Sequence, residues 1–80
     1  MDVTVRLYSI FRFKYDGYNS KTGIILKLEV GSTICDLLER IEIEPKNVSI
    51  VRVNELIVKD FDLPLSNKDI VEIFPFYGGG

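Results

Sequence analysis

Only one stretch of this 80-residue chain has the spacing of an amphipathic helix, and that restricts the fold more than any other feature. Apolar side chains recur there at i, i+3, i+4 and i+7, on one helix face: Ile34, Leu37, Leu38 and Ile41. Thr33 is a good N-cap, and Asp36 stands three residues later, in the position that completes a capping box. We expect this helix to continue until Pro45 stops it, because the residue before a proline is pushed out of helical geometry.

Elsewhere, apolar residues alternate with polar ones, as they do in half-buried strands. The predicted strands cover residues 3–8, 24–30, 48–53, 56–58 and 69–74. The apolar alternation of residues 3–8 resumes at Phe11, Phe13 and Tyr15. The segment from Ser9 is therefore either a continuation of the first strand or a short helical turn. Apolar residues lie on both faces of the strand 48–53, so the pattern does not decide which of its faces points to the core.

The order strand, strand, helix, strand, short strand, strand indicates a two-layer α+β fold. One helix and a hairpin-connected sheet must each bury one face against the other. This order is that of the β-grasp fold, with a mixed four- to five-stranded sheet and one main helix packed across it. We expect residues 1–77 to form this domain and residues 78–80 to form a flexible C-terminal glycine tail.

Composition favours a soluble globular domain, with 46% hydrophobic and 28% charged residues. No apolar run approaches the ~20 residues needed to cross a bilayer, and no signal peptide is visible. The net charge of −2 argues against nucleic-acid binding. The single cysteine, Cys35, fits a reducing cytoplasm, and the absence of histidine removes the commonest zinc ligand. We therefore expect a cytoplasmic protein that binds no nucleic acid, membrane or metal.

The glycines Gly78, Gly79 and Gly80 at the end of the sequence are the first candidate for function. Without Cβ atoms, such a segment can enter a narrow channel in extended form and deliver its carboxylate to another protein's active site. The alternative is a flexible end or an engineered remnant. Ordering each tail residue costs about 1–2 kcal/mol of backbone entropy, so the surface of the domain must supply the affinity.

Several motifs resemble the MoaD/ThiS family of ubiquitin-like sulfur carriers, and particularly the small subunit of molybdopterin synthase. The segment VTVRLYSIFRF at 3–13 is similar to the family's opening strand and turn. The rest of the family's pattern is matched in order and spacing by Val53-Asn54, Leu56-Ile57-Val58, Asp62, Pro64-Leu65, Asp69, Val71, Phe74-Pro75 and Gly79-Gly80. Two segments depart from it, Ser66-Asn67-Lys68 and the bulky Phe76-Tyr77-Gly78.

This resemblance implies a carrier or small subunit rather than a self-sufficient enzyme. A ubiquitin-activating-type adenylating enzyme would use ATP and magnesium to activate Gly80, and Gly79 would give access to it. A persulfide sulfur-donor protein would then leave a thiocarboxylate on Gly80. The sulfur would pass to a dithiolene precursor of molybdopterin on the large subunit of molybdopterin synthase. No cofactor is expected on this chain itself.

Three alternatives remain, and the first two use the same tail. The chain could be a thiamine-type sulfur carrier, or a ubiquitin-like modifier conjugated to target lysines through Gly80. It could also be a plain interaction module whose glycines are incidental.

Partner binding is predicted for four residues near the tail: Phe74, Phe76, Tyr77 and Gly78. Phe74 should face outward, because it alternates with the core-like Val71 and Ile73. Exposed aromatic residues beside a functional tail would form a docking patch. The competing interpretation is that Phe74 is covered by Phe11 or Phe13.

If the last strand pairs parallel with the first, Arg6 should lie beside Glu72 and form a cross-strand ion pair. Tyr8 should then lie beside Phe74.

The remaining polar candidates are interpreted as structural. Cys35 lies at the edge of the apolar helix face, where a lone cysteine is usually a small core residue. Arg12 is expected to brace the first turn. Asp60, Asp62 and Asp69 flank turns, and their spacing fits no compact metal-binding loop.

Overall fold

The structure, a computed structural model, describes residues 1–76. Over this range the chain forms five strands, one α-helix and two 3₁₀ helices. The strands are β1 (Asp2–Leu7), β2 (Ile24–Lys27), β3 (Val48–Val53), β4 (Leu56–Val58) and β5 (Ile70–Pro75). The helix α1 spans Ile34–Arg40, and the 3₁₀ helices span Ser9–Lys14 and Pro45–Asn47. None of the helices in the described range has the length and apolar character that a membrane crossing requires.

The strands form one mixed sheet in the order β2-β1-β5-β3-β4. The central pair, β1 and β5, is parallel, and its register aligns Arg6 with Glu72 and Leu7 with Ile73. The other neighbours are antiparallel. This arrangement confirms the predicted β-grasp fold. The parallel pairing of β1 with β5 also meets the condition under which Arg6 was expected beside Glu72.

The core lies between α1 and one face of the sheet. The predicted apolar stripe of α1 is buried there, and the alternate residues of the three central strands meet it. The fully buried side chains are Val3, Val5, Ile34, Leu37, Leu38, Val51, Val71 and Ile73. The other face of the sheet is consequently left without a covering layer in the described part of the chain.

The N-terminus of α1 is closed as the sequence predicts. Thr33 Oγ1 accepts a hydrogen bond from the Asp36 N–H at 3.2 Å, and the Asp36 carboxylate accepts one from the Thr33 N–H at 2.9 Å. This reciprocal pair satisfies two of the N–H groups that a helix end leaves without partners.

The C-terminus of α1 differs from the prediction, since the helix ends before Pro45 is reached. Glu42 adopts a left-handed φ of 60°. Its N–H donates to the Glu39 carbonyl at 3.1 Å, and the Ile43 N–H donates to the Leu38 carbonyl at 3.0 Å. These two bonds define a Schellman motif, which stops a helix without proline. Pro45 instead begins the second 3₁₀ helix.

The segment after Ser9 is a 3₁₀ helix, which confirms the helical-turn alternative. Its Phe11 is buried in the core, whereas Phe13 is 80% exposed. The second strand is shorter than predicted and ends at Lys27. Leu28 is still held at the sheet, because its N–H donates to the Met1 carbonyl at 2.9 Å.

A bulge determines the inward face of β3, which the sequence pattern left open. The register against β5 shifts just after Val48. Ser49 fills the irregularity, and its hydroxyl lies 3.2 Å from the Phe74 carbonyl and 2.7 Å from that of Pro75. Val48 and Val51 are therefore both buried although they are three residues apart.

The helix end provides a stability prediction. Glycine at position 42 would relieve the left-handed backbone, so Glu42→Gly should raise the free energy of unfolding by about 0.5–1 kcal/mol. The matched control is Glu39→Gly, an exposed position inside α1, where glycine should lower that free energy. Urea unfolding of both variants measures the effect, and a loss of stability in Glu42→Gly would contradict the Schellman assignment.

Candidate functional site on the outer face of the sheet

The C-terminal end of β5 is fixed firmly in the sheet. Pro75 is buried opposite Val48, and the Ser49 hydroxyl lies within hydrogen-bond distance of the carbonyls of Phe74 and Pro75. Phe76 follows and is 59% exposed, and its role in partner binding stays a prediction. Tyr77, Gly78, Gly79 and Gly80 lie outside the described residues, so their assigned roles stay predictions.

Phe74 lies on the outer face of the sheet, as predicted. Its ring stacks on Tyr8 with centroids 4.4 Å apart and an interplanar angle of 13°. The Arg52 guanidinium lies 5.5 Å from the centre of the same ring. Phe74 is thus partly covered by Tyr8 and Arg52, and the alternative in which Phe11 or Phe13 covers it is wrong.

The predicted Arg6–Glu72 ion pair does not form, although the two residues are register partners. The buried Glu72 carboxylate instead pairs with Arg52 of β3, with Nη2 and Oε1 2.7 Å apart. Its second oxygen accepts a hydrogen bond from the Tyr8 hydroxyl. Arg52 is directly opposite Glu72 in the antiparallel β3–β5 pair, and the carboxylate takes its ion pair from that side of the strand.

This contact alters the acidity of Tyr8. The hydrogen bond to Glu72 raises the pKa of the Tyr8 phenol above its ordinary 10.0, and burial and the carboxylate's negative charge act in the same direction. The phenol therefore stays protonated and keeps donating to Glu72 over the physiological range.

Arg52 is a site residue that the sequence analysis missed. Residues 48–53 alternate ambiguously, so without the bulge at Ser49 the side of the sheet on which Arg52 lies was undetermined. Once the register is known, Arg52 must lie beside Glu72. Its side chain is 37% exposed and contacts both the carboxylate and the Phe74 ring.

Two turn residues of the motif connect the end of β3 to the start of β5. Asn54 accepts a hydrogen bond from the Ile70 N–H at 2.9 Å, and its amide donates to Asp69 at 2.9 Å. Asp69 also accepts from the Ser66 N–H at 2.7 Å. These contacts confirm the structural interpretation of Asp69. They also show that Asn54 and Asp69, two residues of the motif quoted above, contact each other in the fold.

Two other predicted structural residues behave as expected. Asp60 accepts a hydrogen bond from the Asp62 N–H at 2.9 Å, as turn aspartates do. Arg12 braces its own turn, because its Nε donates to the Ser9 carbonyl at 3.2 Å and its guanidinium lies 5.6 Å from the Phe13 ring.

Cys35 is partly buried at the edge of α1. Burial raises the pKa of its thiol, and the negative charges of Asp62, Asp36 and Asp60 raise it further. A thiol in this environment is a poor nucleophile, because the thiolate is the reactive form. The structure therefore favours a packing role for Cys35.

The Tyr8–Glu72 contact predicts a measurable pH dependence. Because the folded pKa of Tyr8 exceeds that of an unfolded tyrosine, the contact stabilises fully below about pH 10 and is lost as pH rises through the folded pKa. An NMR titration of the Tyr8 ring carbon should give a midpoint above 10.0, and Glu72→Gln should lower it. A midpoint unchanged by that substitution would contradict the assigned cause.

Cys35 should react slowly with iodoacetamide at pH 8 in the folded protein. The same chain unfolded in guanidinium serves as the control, and its alkylation should be about tenfold faster or more. Asp62→Asn should speed the folded reaction by removing a nearby negative charge. A folded rate equal to the unfolded one would show that the thiol is not protected.

Comparison with known proteins agrees with the motifs and the fold. Residues 17–80 match the ThiS family, and the match includes Phe74-Pro75 and both terminal glycines. No curated protein gives a significant match to the chain.

Two solved structures share the fold. One is a putative molybdopterin converting factor subunit 1 from Pyrococcus furiosus, with a TM-score of 0.72 and 24% identity over 92% of this chain and 95% of the other. The second is a protein–protein complex of subunits 1 and 2 of the molybdopterin-converting factor from Helicobacter pylori, with a TM-score of 0.63 and 18% identity over 100% of both chains. With the fold, the tail sequence and a family match over most of its length, this chain belongs to the ThiS family of ubiquitin-like sulfur carriers.

Proposed function

We propose that this protein carries sulfur for molybdopterin synthesis and that Gly80 is the residue activated and loaded with sulfur. The observation that carries the proposal is the family match through Gly80 on a chain whose last strand occupies the centre of a β-grasp sheet. β5 ends at the buried Pro75, so the tail starts from a fixed point five residues before Gly80.

The chemistry starts from a carboxylate, which is a poor electrophile because its leaving group would be oxide. Attack of the Gly80 carboxylate on the α-phosphate of ATP forms an acyl adenylate and releases pyrophosphate. A persulfide sulfur then attacks the acyl carbon and displaces AMP. A thiol cleaves the resulting acyl disulfide at its S–S bond, which leaves a thiocarboxylate on Gly80 and a disulfide on the donor side.

Three partner proteins follow from this sequence of steps: an adenylating enzyme of the ubiquitin-activating type, a persulfide sulfur donor, and the large subunit that uses the sulfur. ATP and magnesium belong to the adenylating enzyme. The Helicobacter pylori structure contains both subunits of its converting factor, which supports a large-subunit partner here. Gly79 has no side chain, so it would allow Gly80 to enter the narrow active sites of these partners.

Docking would rely on the aromatic residues near the tail. Phe76 is exposed directly after β5. Phe74, two residues earlier, stacks with Tyr8. With Tyr77 and Gly78 these residues would offset the entropy that the partner-bound tail loses.

The second candidate is a thiamine-type carrier. The matching family bears the ThiS name, which favours this branch, while both solved structures are molybdopterin converting factors, which favours the first. The two candidates share the same Gly80 chemistry and differ in the acceptor of the sulfur.

Intact-mass analysis of the protein from its native host tests the proposal. A fraction of the chain should carry one oxygen-to-sulfur exchange, localised by fragmentation to Gly80. Deleting Gly80 should abolish both the exchange and molybdopterin production, whereas Cys35→Ala should leave the exchange intact.

Other outcomes identify the alternatives. Isopeptide adducts through Gly80 on lysines of other proteins would indicate a protein modifier. Unimpaired function after deletion of Gly80 would indicate an interaction module.

A further inference from the structure

The two neighbours of β5 stop pairing with it at different residues. The last register pair with β1 is Leu7–Ile73, whereas pairing with β3 continues two residues further, to Val48–Pro75. In the described part of the chain, the last two residues of β5 are therefore paired in register with β3 alone.

The bulge of β3 lies at this point. Ile50 faces Phe74 and Val48 already faces Pro75, so Ser49 between them has no register partner. The hydroxyl of Ser49 is thus free to contact the end of β5 instead of continuing the ladder.

Regular pairing does not continue past Pro75. The next antiparallel step after Val48–Pro75 would place Asn47 opposite Phe76, and Asn47 belongs to the second 3₁₀ helix. Phe76 is accordingly outside β5 and is 59% exposed. The peptide unit that joins Pro75 to Phe76 is therefore the link between the sheet and the residues of the tail.

Ser49 contacts this link through its hydroxyl. The Oγ atom lies 2.7 Å from the Pro75 carbonyl oxygen and 3.2 Å from that of Phe74. A serine hydroxyl has a single proton to donate, and about 2.7 Å is the usual length of an O–H···O hydrogen bond. The Ser49 hydroxyl therefore donates mainly to Pro75.

This hydrogen bond fixes the backbone angle of Pro75 that the proline ring leaves free. The ring restricts φ to about −65°, and proline has no N–H, so the carbonyl is its only backbone hydrogen-bonding group. The carbonyl oxygen lies in one plane with the Phe76 nitrogen, because the peptide unit is planar. Holding that oxygen therefore fixes ψ of Pro75 and the direction in which the chain continues at Phe76.

We propose that Ser49 is a positioning residue for the loading of Gly80, because its hydroxyl sets the direction in which the chain leaves the sheet. The inference rests on the proposed function. Without this hydrogen bond, a partner that receives the tail would have to order the link between Pro75 and Phe76 as it binds. The Ser49 hydroxyl removes that backbone freedom in advance.

The test compares Ser49→Ala, which removes the hydroxyl, with Ser49→Thr, which keeps it and suits a strand. The first measurement is the order parameter of the Phe76 amide, from NMR relaxation of the free full-length chain. We expect Ser49→Ala to lower this order parameter and Ser49→Thr to retain it. The order parameters at the centre of β5 should stay unchanged in both.

The second measurement is ATP–pyrophosphate exchange by the adenylating enzyme of the same organism. Ser49→Ala should lower kcat/KM for the chain about fivefold or more, because part of the binding energy must then order the link. Ser49→Thr should restore most of it. Thermal unfolding is measured on each variant, and Ser49→Cys, whose thiol is a weak donor, replaces Ser49→Ala if that chain melts below the assay temperature.

The matched control is Ser66→Ala, which removes an exposed serine hydroxyl shortly before the other end of β5. It should change neither the order parameter of the Phe76 amide nor the rate of exchange.

An unchanged Phe76 order parameter in Ser49→Ala would overturn the positioning of the link. A lowered order parameter with undiminished exchange would overturn its role in loading. Equal losses of exchange in Ser49→Ala and Ser49→Thr would assign Ser49 to packing within the bulge instead. If the wild-type chain supports no exchange, the proposed function and the role in loading both fail, whereas the order parameters still decide whether Ser49 holds the link.

Discussion

The parallel pairing of β1 with β5 is the constraint on which the rest of the structure depends. It joins the two ends of the described chain at the centre of the sheet, so that the final strand is supported on both sides. On the inner face it aligns Leu7 with Ile73 in the core. On the outer face it places Tyr8 over Phe74 and Arg6 beside Glu72. The last described residues therefore follow a strand that is paired on both sides.

In the proposed function, the domain would need no catalytic constellation of its own. The Gly80 carboxylate would be delivered to partners, and the domain would contribute a rigid base and surfaces that partners recognise. The contacts of Glu72 with Tyr8 and Arg52 hold the outer face in one geometry, although the buried Arg52 Nε has no acceptor within residues 1–76.

Much of this could be predicted from the sequence, because the strongest signals are local. The helix is predicted by the spacing of Ile34, Leu37 and Leu38 and by the Thr33 cap. A chain with one helix and several alternating strands is compatible with only a few folds. Long-range pairing was harder. The bulge at Ser49 changes which residues of β3 face inward, so Arg52 was missed and Glu72 was paired with the wrong arginine. The helix end was misplaced because Glu42, rather than a glycine, adopts the left-handed geometry.

The most direct test of the central claim is ATP–pyrophosphate exchange by the adenylating enzyme of the same organism, with this protein as the substrate. If the Gly80 carboxylate is the group that becomes adenylated, labelled pyrophosphate will enter ATP in the presence of the full chain. The exchange will then disappear when Gly80 is deleted, although the domain remains folded. Exchange at an undiminished rate without Gly80 would contradict the account.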